Sequence, residues 1–190
     1  ESMSKENVLN YPIIAVNNAF TKHLFDNRYG TGQSVLDSIM RATNRLLSGK
    51  TFAVCGYGWC GKGLAMRANG LGANVIVTEI DPTKALEAKM DGFQVMTGTE
   101  AFKRADFICS VTGNINVIDK HHFKIMKDGA IISNAGHFNV EINIEALRRM
   151  ATKTKKIRSD IEEFTVGKKK VCLLSDGRLV NLSAAEGHPS

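Results

Sequence analysis

The residues with the clearest chemical spacing are Gly56-Tyr57-Gly58-Trp59-Cys60-Gly61, a G-x-G-x-x-G series. It follows a short apolar run, Thr51–Cys55, and precedes a helical pattern, the context that gives the motif meaning. Gly56 permits the tight turn out of a strand. Gly58 lets backbone approach a diphosphate, and Gly61 lets helix pack closely on sheet. The helix that opens there presents unpaired N–H groups and a partial positive charge to phosphate, and Trp59 and Cys60 of the motif are assigned with its glycines to the cofactor side. Glu79 follows at about the separation of roughly 20 residues expected for a carboxylate that accepts hydrogen bonds from a ribose diol. The same carboxylate repels a 2′-phosphate, and no Arg follows directly to compensate. The ligand implied is NAD, not NADP.

Two more polar, glycine-containing strand ends fall where such sheets bind ligands: Thr112-Gly113-Asn114 and Asn134-Ala135-Gly136-His137. Thr112, Gly113, Asn114, Ala135, Gly136 and His137 are therefore assigned to the cofactor side, where they suit a nicotinamide ribose.

These loops need a frame. Apolar spacing over Gln33–Leu47 predicts an amphipathic helix ended by Ser48-Gly49. Strands are predicted at Thr51–Cys55, Asn74–Glu79, Phe93–Met96, Asp106–Val111 and Gly129–Asn134. They alternate with helices at Lys62–Leu71, Pro82–Met90, Thr99–Arg104, Lys120–Met126 and Ile144–Ala151. Lys156–Val166 and Val171–Leu174 read as two further strands around a Gly167–Lys170 turn. Unbroken apolar strands alternating with helices predict an α/β fold, a Rossmann-type doubly wound, mainly parallel sheet with helices on both faces.

The net charge of +6 comes largely from Lys153–Arg158 and Lys168–Lys170. Both read as solvated loops; neither interleaves aromatics with bases as a nucleic-acid surface would. No apolar run approaches the roughly 20 residues of a membrane span, and no secretory signal opens the chain. Cys55, Cys60, Cys109 and Cys172 form no C-x-x-C pair. No metal site is expected, and small cysteines within apolar stretches point to a reducing compartment, the cytoplasm. His121 and His122, at a helix start, read as surface residues. A first residue of Glu1, not Met, suggests a trimmed piece.

The blocks NNAFTKHLFDNRYG (17–30), GYGWCGKG, VTEIDPTKALEAKMDGF, SNAGHFNVEI and GRLVNLSAAEGHPS run in order over nearly the whole chain. Together they resemble the S-adenosyl-L-homocysteine hydrolase family. The resemblance implies tightly held NAD used for a net hydrolysis: transient oxidation of the substrate's 3′-hydroxyl, elimination of homocysteine, addition of water and reduction back to adenosine. It further implies that Lys22 and Asp26 face the 3′-hydroxyl and that Asn27 contacts the nicotinamide side. His137 would transfer a proton near the sugar, His188 would touch the adenosine part, and Asn181 would hold the nicotinamide end.

The chain carries Trp59 and Cys60 where many members have Asp and Val, and Thr31 where many have Cys. The family's chain is longer, so the resemblance also implies a substrate domain and neighbouring subunits of a homo-oligomer as partners. It divides this chain into residues 1–32, carrying catalytic residues, and residues 33–190, the NAD-binding domain, inactive alone. Two other readings stay open. One is a stand-alone NAD-dependent dehydrogenase, for which Arg28 or Arg178 would have to clamp a substrate carboxylate. The other is a non-catalytic NAD-sensing module.

Overall fold

The computed structural model describes residues 2–184. Eight strands form one sheet: β1 Thr51–Cys55, β2 Asn74–Thr78, β3 Gln94–Val95, β4 Phe107–Ser110, β5 Ala130–Asn134, β6 Lys153–Arg158, β7 Ile161–Val166 and β8 Lys169–Leu174. Their order is β3-β2-β1-β4-β5-β8-β7-β6. The first six in that order are parallel, and β7 and β6 close the edge antiparallel. This is the doubly wound sheet expected from the alternation of elements. Its direction of winding reverses between β1 and β4, the topological switch point at which such sheets bind ligands.

The helices are α1 Ser2–Lys5, a π-helix Lys22–Thr31, α2 Gly32–Thr43, α3 Trp59–Gly70, α4 Pro82–Met90, α5 Gly98–Arg104, α6 Lys120–Ile125, α7 Ile144–Met150 and α8 Val180–Ser183. They cover both faces and create two cores. One joins Phe52, Val54, Leu64, Val77 and Phe107 to Val35, Leu36 and Ile39 of α2. The other joins Ala53, Ile108, Ile132 and Leu173 to Phe102, Phe123 and Leu147. Neighbouring residues of β1 thus point into opposite cores, as the period of two demands. No helix among the described residues is long and apolar enough to cross a membrane.

Several local readings change, among them the start of α3, at Trp59 and not Lys62, and Lys169-Lys170, which open β8 and do not lie in a loop. The predicted helix to Leu47 stops at Thr43, because Asn44 takes a left-handed conformation (φ 51°) and returns its N–H to the Met40 carbonyl. The stretch read as one strand, Lys156–Val166, belongs to two, β6 and β7, which fold back at Ser159-Asp160. The basic run Lys153–Arg158 is therefore not a loop but the edge strand itself. All six of its residues are exposed, and its lysines discourage pairing with another sheet. His122 is not a surface residue: it is 9 % exposed, under Phe102.

The π-helix runs into α2 without a break, and it packs on α3 at the closest distance backbone allows. A Cβ on Gly63 would overlap the Arg28 carbonyl, and one on Gly32 would lie 2.7 Å from the Gly63 carbonyl carbon. Two glycines on facing helices thus hold residues 22–31 against the helix that starts at the glycine-rich turn.

Candidate cofactor and active site

The turn from β1 into α3 is shaped by backbone. Gly56 has φ +105°, a conformation L side chains rarely adopt, and a Cβ on it would press on Thr112 at 3.0 Å. A Cβ on Gly61 would collide with the Gly56 carbonyl, so the first turn of α3 folds directly over the strand end. A Cβ on Gly58 would meet nothing within 4 Å; this glycine faces open space. No side chain caps the N-terminus of α3, which leaves its amides for an external acceptor.

Glu79 stands opposite, just past β2. Its Oε2 accepts from the Tyr57 amide at 2.7 Å, and its Oε1 accepts from the amides of Ile80 at 2.8 Å and Asp81 at 3.1 Å. The carboxylate is thereby fixed at the cleft rim, with lone pairs left for a ligand hydroxyl. Tyr57 is locked beneath: its phenol donates to Asp91 at 2.6 Å, and burial together with that carboxylate raises its pKa. Gly56, Gly58, Glu79, Thr112 and Asn114 line one cleft of about 680 Å³. The structure brings these five sequence-predicted residues together.

Trp59, Cys60 and Gly61 form the first turn of α3, between this cleft and the π-helix. On the far side, Lys22 Nζ lies 3.1 Å from Asp26 Oδ2 and donates to Asn27 Oδ1 at 3.1 Å. Asn27 Oδ1 also meets His23 Nδ1 at 3.2 Å. Phe20 packs edge-on against Trp59, and Lys62 stands 5.6 Å above the indole. Burial raises the pKa of Cys60, while hydrogen bonds with Thr31 and Asn27 and the charge of Lys22 oppose that rise. Lys22, Asp26 and Asn27 therefore form one cluster seated on the glycine-rich turn.

The other two strand ends are tied together by a residue that sequence reasoning left without a role. Glu141 is fully buried. Its Oε2 accepts from the Thr112 amide at 3.0 Å and the Thr112 hydroxyl at 2.9 Å, and its Oε1 accepts from the Gly113 amide at 2.7 Å. Glycine is the residue type that fits beside it at position 136, because a Cβ on Gly136 would overlap Glu141 Oε1. A lone acid between Val140 and Ile142 in an apolar stretch was the available signal. Ala135 and Gly136 are buried at the end of β5, and His137 beyond them is exposed. Asn181 is buried in α8, and its Oδ1 has no hydrogen-bond partner in the described structure. His137, Asn181 and the Lys22 cluster lie outside the walls of the 680 Å³ cleft. His188 lies outside the described residues.

A dinucleotide fits these features. Uncapped amides and the open face of Gly58 suit a diphosphate, and the anchored Glu79 suits a sugar diol.

Comparison with known proteins agrees. Residues 27–187 match the family model described as "S-adenosyl-L-homocysteine hydrolase, NAD binding domain". The chain is 62 % identical over 190 residues to an adenosylhomocysteinase of Aquifex aeolicus, covering 100 % of this chain and 46 % of the relative. It is 57 % identical to an adenosylhomocysteinase of Archaeoglobus fulgidus, covering 99 % of this chain and 46 % of the relative. It is 56 % identical to an S-inosyl-L-homocysteine hydrolase of Methanosarcina mazei, with coverage of 100 % and 46 %. The chain thus spans about half the length of the curated relatives it matches. Among solved structures, a dipicolinate synthase chain of Bacillus halodurans superposes with a TM-score of 0.67 at 15 % identity, over 77 % of this chain and 50 % of that one. A phosphoglycerate oxidoreductase of Vibrio cholerae gives 0.56 at 18 %, over 63 % and 46 %; at such identity these share the fold alone. The chain belongs to the S-adenosyl-L-homocysteine hydrolase family, and the region matched is that family's NAD-binding domain.

Proposed function

We propose that this chain supplies the cofactor half of an enzyme that reversibly cleaves S-adenosyl-L-homocysteine to adenosine and L-homocysteine. The observation that carries this reading is the seating of the Lys22–Asp26–Asn27 cluster on the α3 turn that borders the Glu79 cleft. A sensing module would need the cleft but not the cluster. A dehydrogenase of hydroxy or amino acids would need a guanidinium to clamp a carboxylate in the cleft; Arg178 is instead engaged with Asp176 at 3.3 Å, Arg28 lies over the Tyr29 ring at 5.9 Å, and neither lines the cleft.

Bound NAD supplies a hydride acceptor, which makes loss of a thioether feasible by acidifying the proton beside the oxidised carbon. The chain's own residues provide positioning and proton handling. Asp26 and Asn27 orient Lys22 Nζ, which as the amine would take the proton of the sugar 3′-hydroxyl when that carbon is oxidised and, as the ammonium so formed, would return it when the ketone is reduced. His137, at the open end of β5, exchanges a proton near the same sugar. Gly56, Gly58 and the first-turn amides of Trp59, Cys60 and Gly61 hold the diphosphate, and Glu79 holds the adenosine ribose. Thr112, Gly113, Asn114, Ala135, Gly136 and Asn181 shape the nicotinamide side, and His188 closes on adenosine.

We assign the catalytic residues Lys22, Asp26 and Asn27 to a 1–32 segment, and cofactor binding together with His137 to 33–190. Exposed Val8, Tyr11, Ile13, Ile14, Val16 and Phe20 support burial against a substrate domain or neighbouring subunits of a homo-oligomer. Four unpaired cysteines support a cytoplasmic setting.

The experiment is a pair of assays. Calorimetry should show NAD binding by these 190 residues without turnover. In the complete enzyme, homocysteine release should fall at least about a hundredfold in Lys22→Ala and Asp26→Asn, a loss in the range for general acid–base groups of roughly 10²–10⁴. Assaying S-inosyl- beside S-adenosyl-homocysteine separates the two activities named among the relatives. Undiminished release by both variants would remove the cluster from the mechanism.

A further inference from the structure

The cleft that Gly56, Gly58 and Glu79 line is also walled by the apolar side chains of Ile80, Met96, Phe102, Ile115 and Val117. These apolar side chains suit a flat ring. One ring nitrogen is set among them. His122 lines the same cleft, and its Nε2 lies 3.6 Å from the place of a Cβ on Gly98. Its other nitrogen is committed: Nδ1 accepts from the Asp119 amide at 3.1 Å. An imidazole that accepts at Nδ1 carries its hydrogen on Nε2. Phe102 meets the ring edge-on at 4.7 Å, and the His121 ring lies 3.7 Å away on the flank, so its orientation is held by packing. Burial, then the neighbouring His121, pushes the His122 pKa down to about 4; the ring is neutral at physiological pH and offers one donor. Nε2 has no partner among the described residues, yet it is not among the sealed polar atoms. Gly98, whose Cβ position lies within 3.6 Å of Nε2, lines the same cleft.

We propose that His122 reads the purine of the dinucleotide, selecting adenine over hypoxanthine through its Nε2–H. This rests on the assignment of the cleft to NAD. With diphosphate at Gly56–Gly61 and ribose at Glu79, the base falls against the apolar walls of the same cleft. Adenine presents an unprotonated N1 to a donor. Hypoxanthine carries a proton on N1, so two donors would face each other with one left unsatisfied.

The test is calorimetric titration of the protein with NAD and with nicotinamide hypoxanthine dinucleotide. Wild type should bind the hypoxanthine analogue about tenfold more weakly, the cost of one unmatched hydrogen bond. His122→Asn keeps an acceptor for the Asp119 amide and removes the Nε2–H; the ratio should fall to about one, mostly through weaker NAD binding. His122→Gln, which carries an amide N–H near the Nε2 position, should restore part of the preference. Equal affinity of wild type for both dinucleotides overturns the proposal, whether or not the variants fold. So does an unchanged ratio in a folded His122→Asn. Failure of the underlying cofactor assignment looks different: neither dinucleotide would bind wild type.

Discussion

The carbonyl of Arg28 occupies the space a side chain on Gly63 would need. This contact joins the segment bearing Lys22, Asp26 and Asn27 to the helix that begins at the glycine-rich turn. Gly63→Ala should therefore destabilise the protein by about 3 kcal/mol, the upper range for overpacking. Gly70, in the same helix with nothing near its Cβ position, is the control: Gly70→Ala should be neutral or stabilise by about 0.5 kcal/mol. Urea denaturation of both variants measures the difference. Equal midpoints would mean that the two helices can separate at no cost.

Removal of the Glu79 carboxylate tests the ribose assignment. Glu79→Ala should weaken NAD binding about ten- to hundredfold, since a hydrogen bond to a charged group contributes roughly 1.5–3 kcal/mol. Part of that loss will come from release of the Tyr57 amide, which Glu79 also holds. Glu79→Gln retains an acceptor and should lose less. Titration followed by calorimetry ranks the three, and unchanged affinity in Glu79→Ala would place the ribose elsewhere.

Glu141 faces three donors from two successive residues. Glu141→Gln replaces one accepting oxygen by an NH2 group that confronts a donor. Stability should fall by about 3 kcal/mol, on the scale of a charge-assisted hydrogen bond lost in a buried place. The 112–114 loop should loosen, visible as faster amide exchange at Thr112 and Gly113. Protection equal to wild type at both amides would show that the loop holds itself.

His122 makes stability depend on mild acid. Its pKa is about 4 in the folded protein, against 6.5 ordinarily, through burial first and His121 second, with Asp119 opposing. Between those values the unfolded chain binds the additional proton, so stability rises with pH there, by at most about 1.4 kcal/mol per pH unit. The destabilising effect is absent above pH 6.5, grows as pH falls below it, and is complete once pH passes through 4. Asp81, Asp106 and Asp119 have pKa values lowered from 3.8 and Glu100 from 4.5, so their losses come at lower pH. His122→Asn should flatten the curve between pH 6.5 and 4, as read from urea midpoints. An equally steep curve in the variant would assign that titration to another group.

Much of this protein is determined by local order in the chain. Apolar runs alternating with helical spacing force a parallel sheet, because strands buried on both faces have no polar side to show. A glycine-rich turn between Cys55 and Trp59, followed by an acid after the next strand, specifies a dinucleotide cleft by covalent neighbourhood alone. Helix ends and the β6–β7 hairpin were less legible. Asn44 stops α2 in a left-handed conformation that Gly and Asn adopt most readily, but Leu46 and Leu47 beyond it continue the apolar spacing, and Lys153–Arg158 pairs in spite of its charge because β7 offers an unoccupied edge.

Tertiary structure alone decided what meets across long separations. Gly63 against Arg28, Glu141 against Thr112 and Gly113, and His122 against the cleft wall are contacts between residues that no local period relates. Each depends on the folded sheet bringing loop to loop, and burial there gives an ordinary Glu or His a partner set and an orientation that its sequence neighbours could not confer.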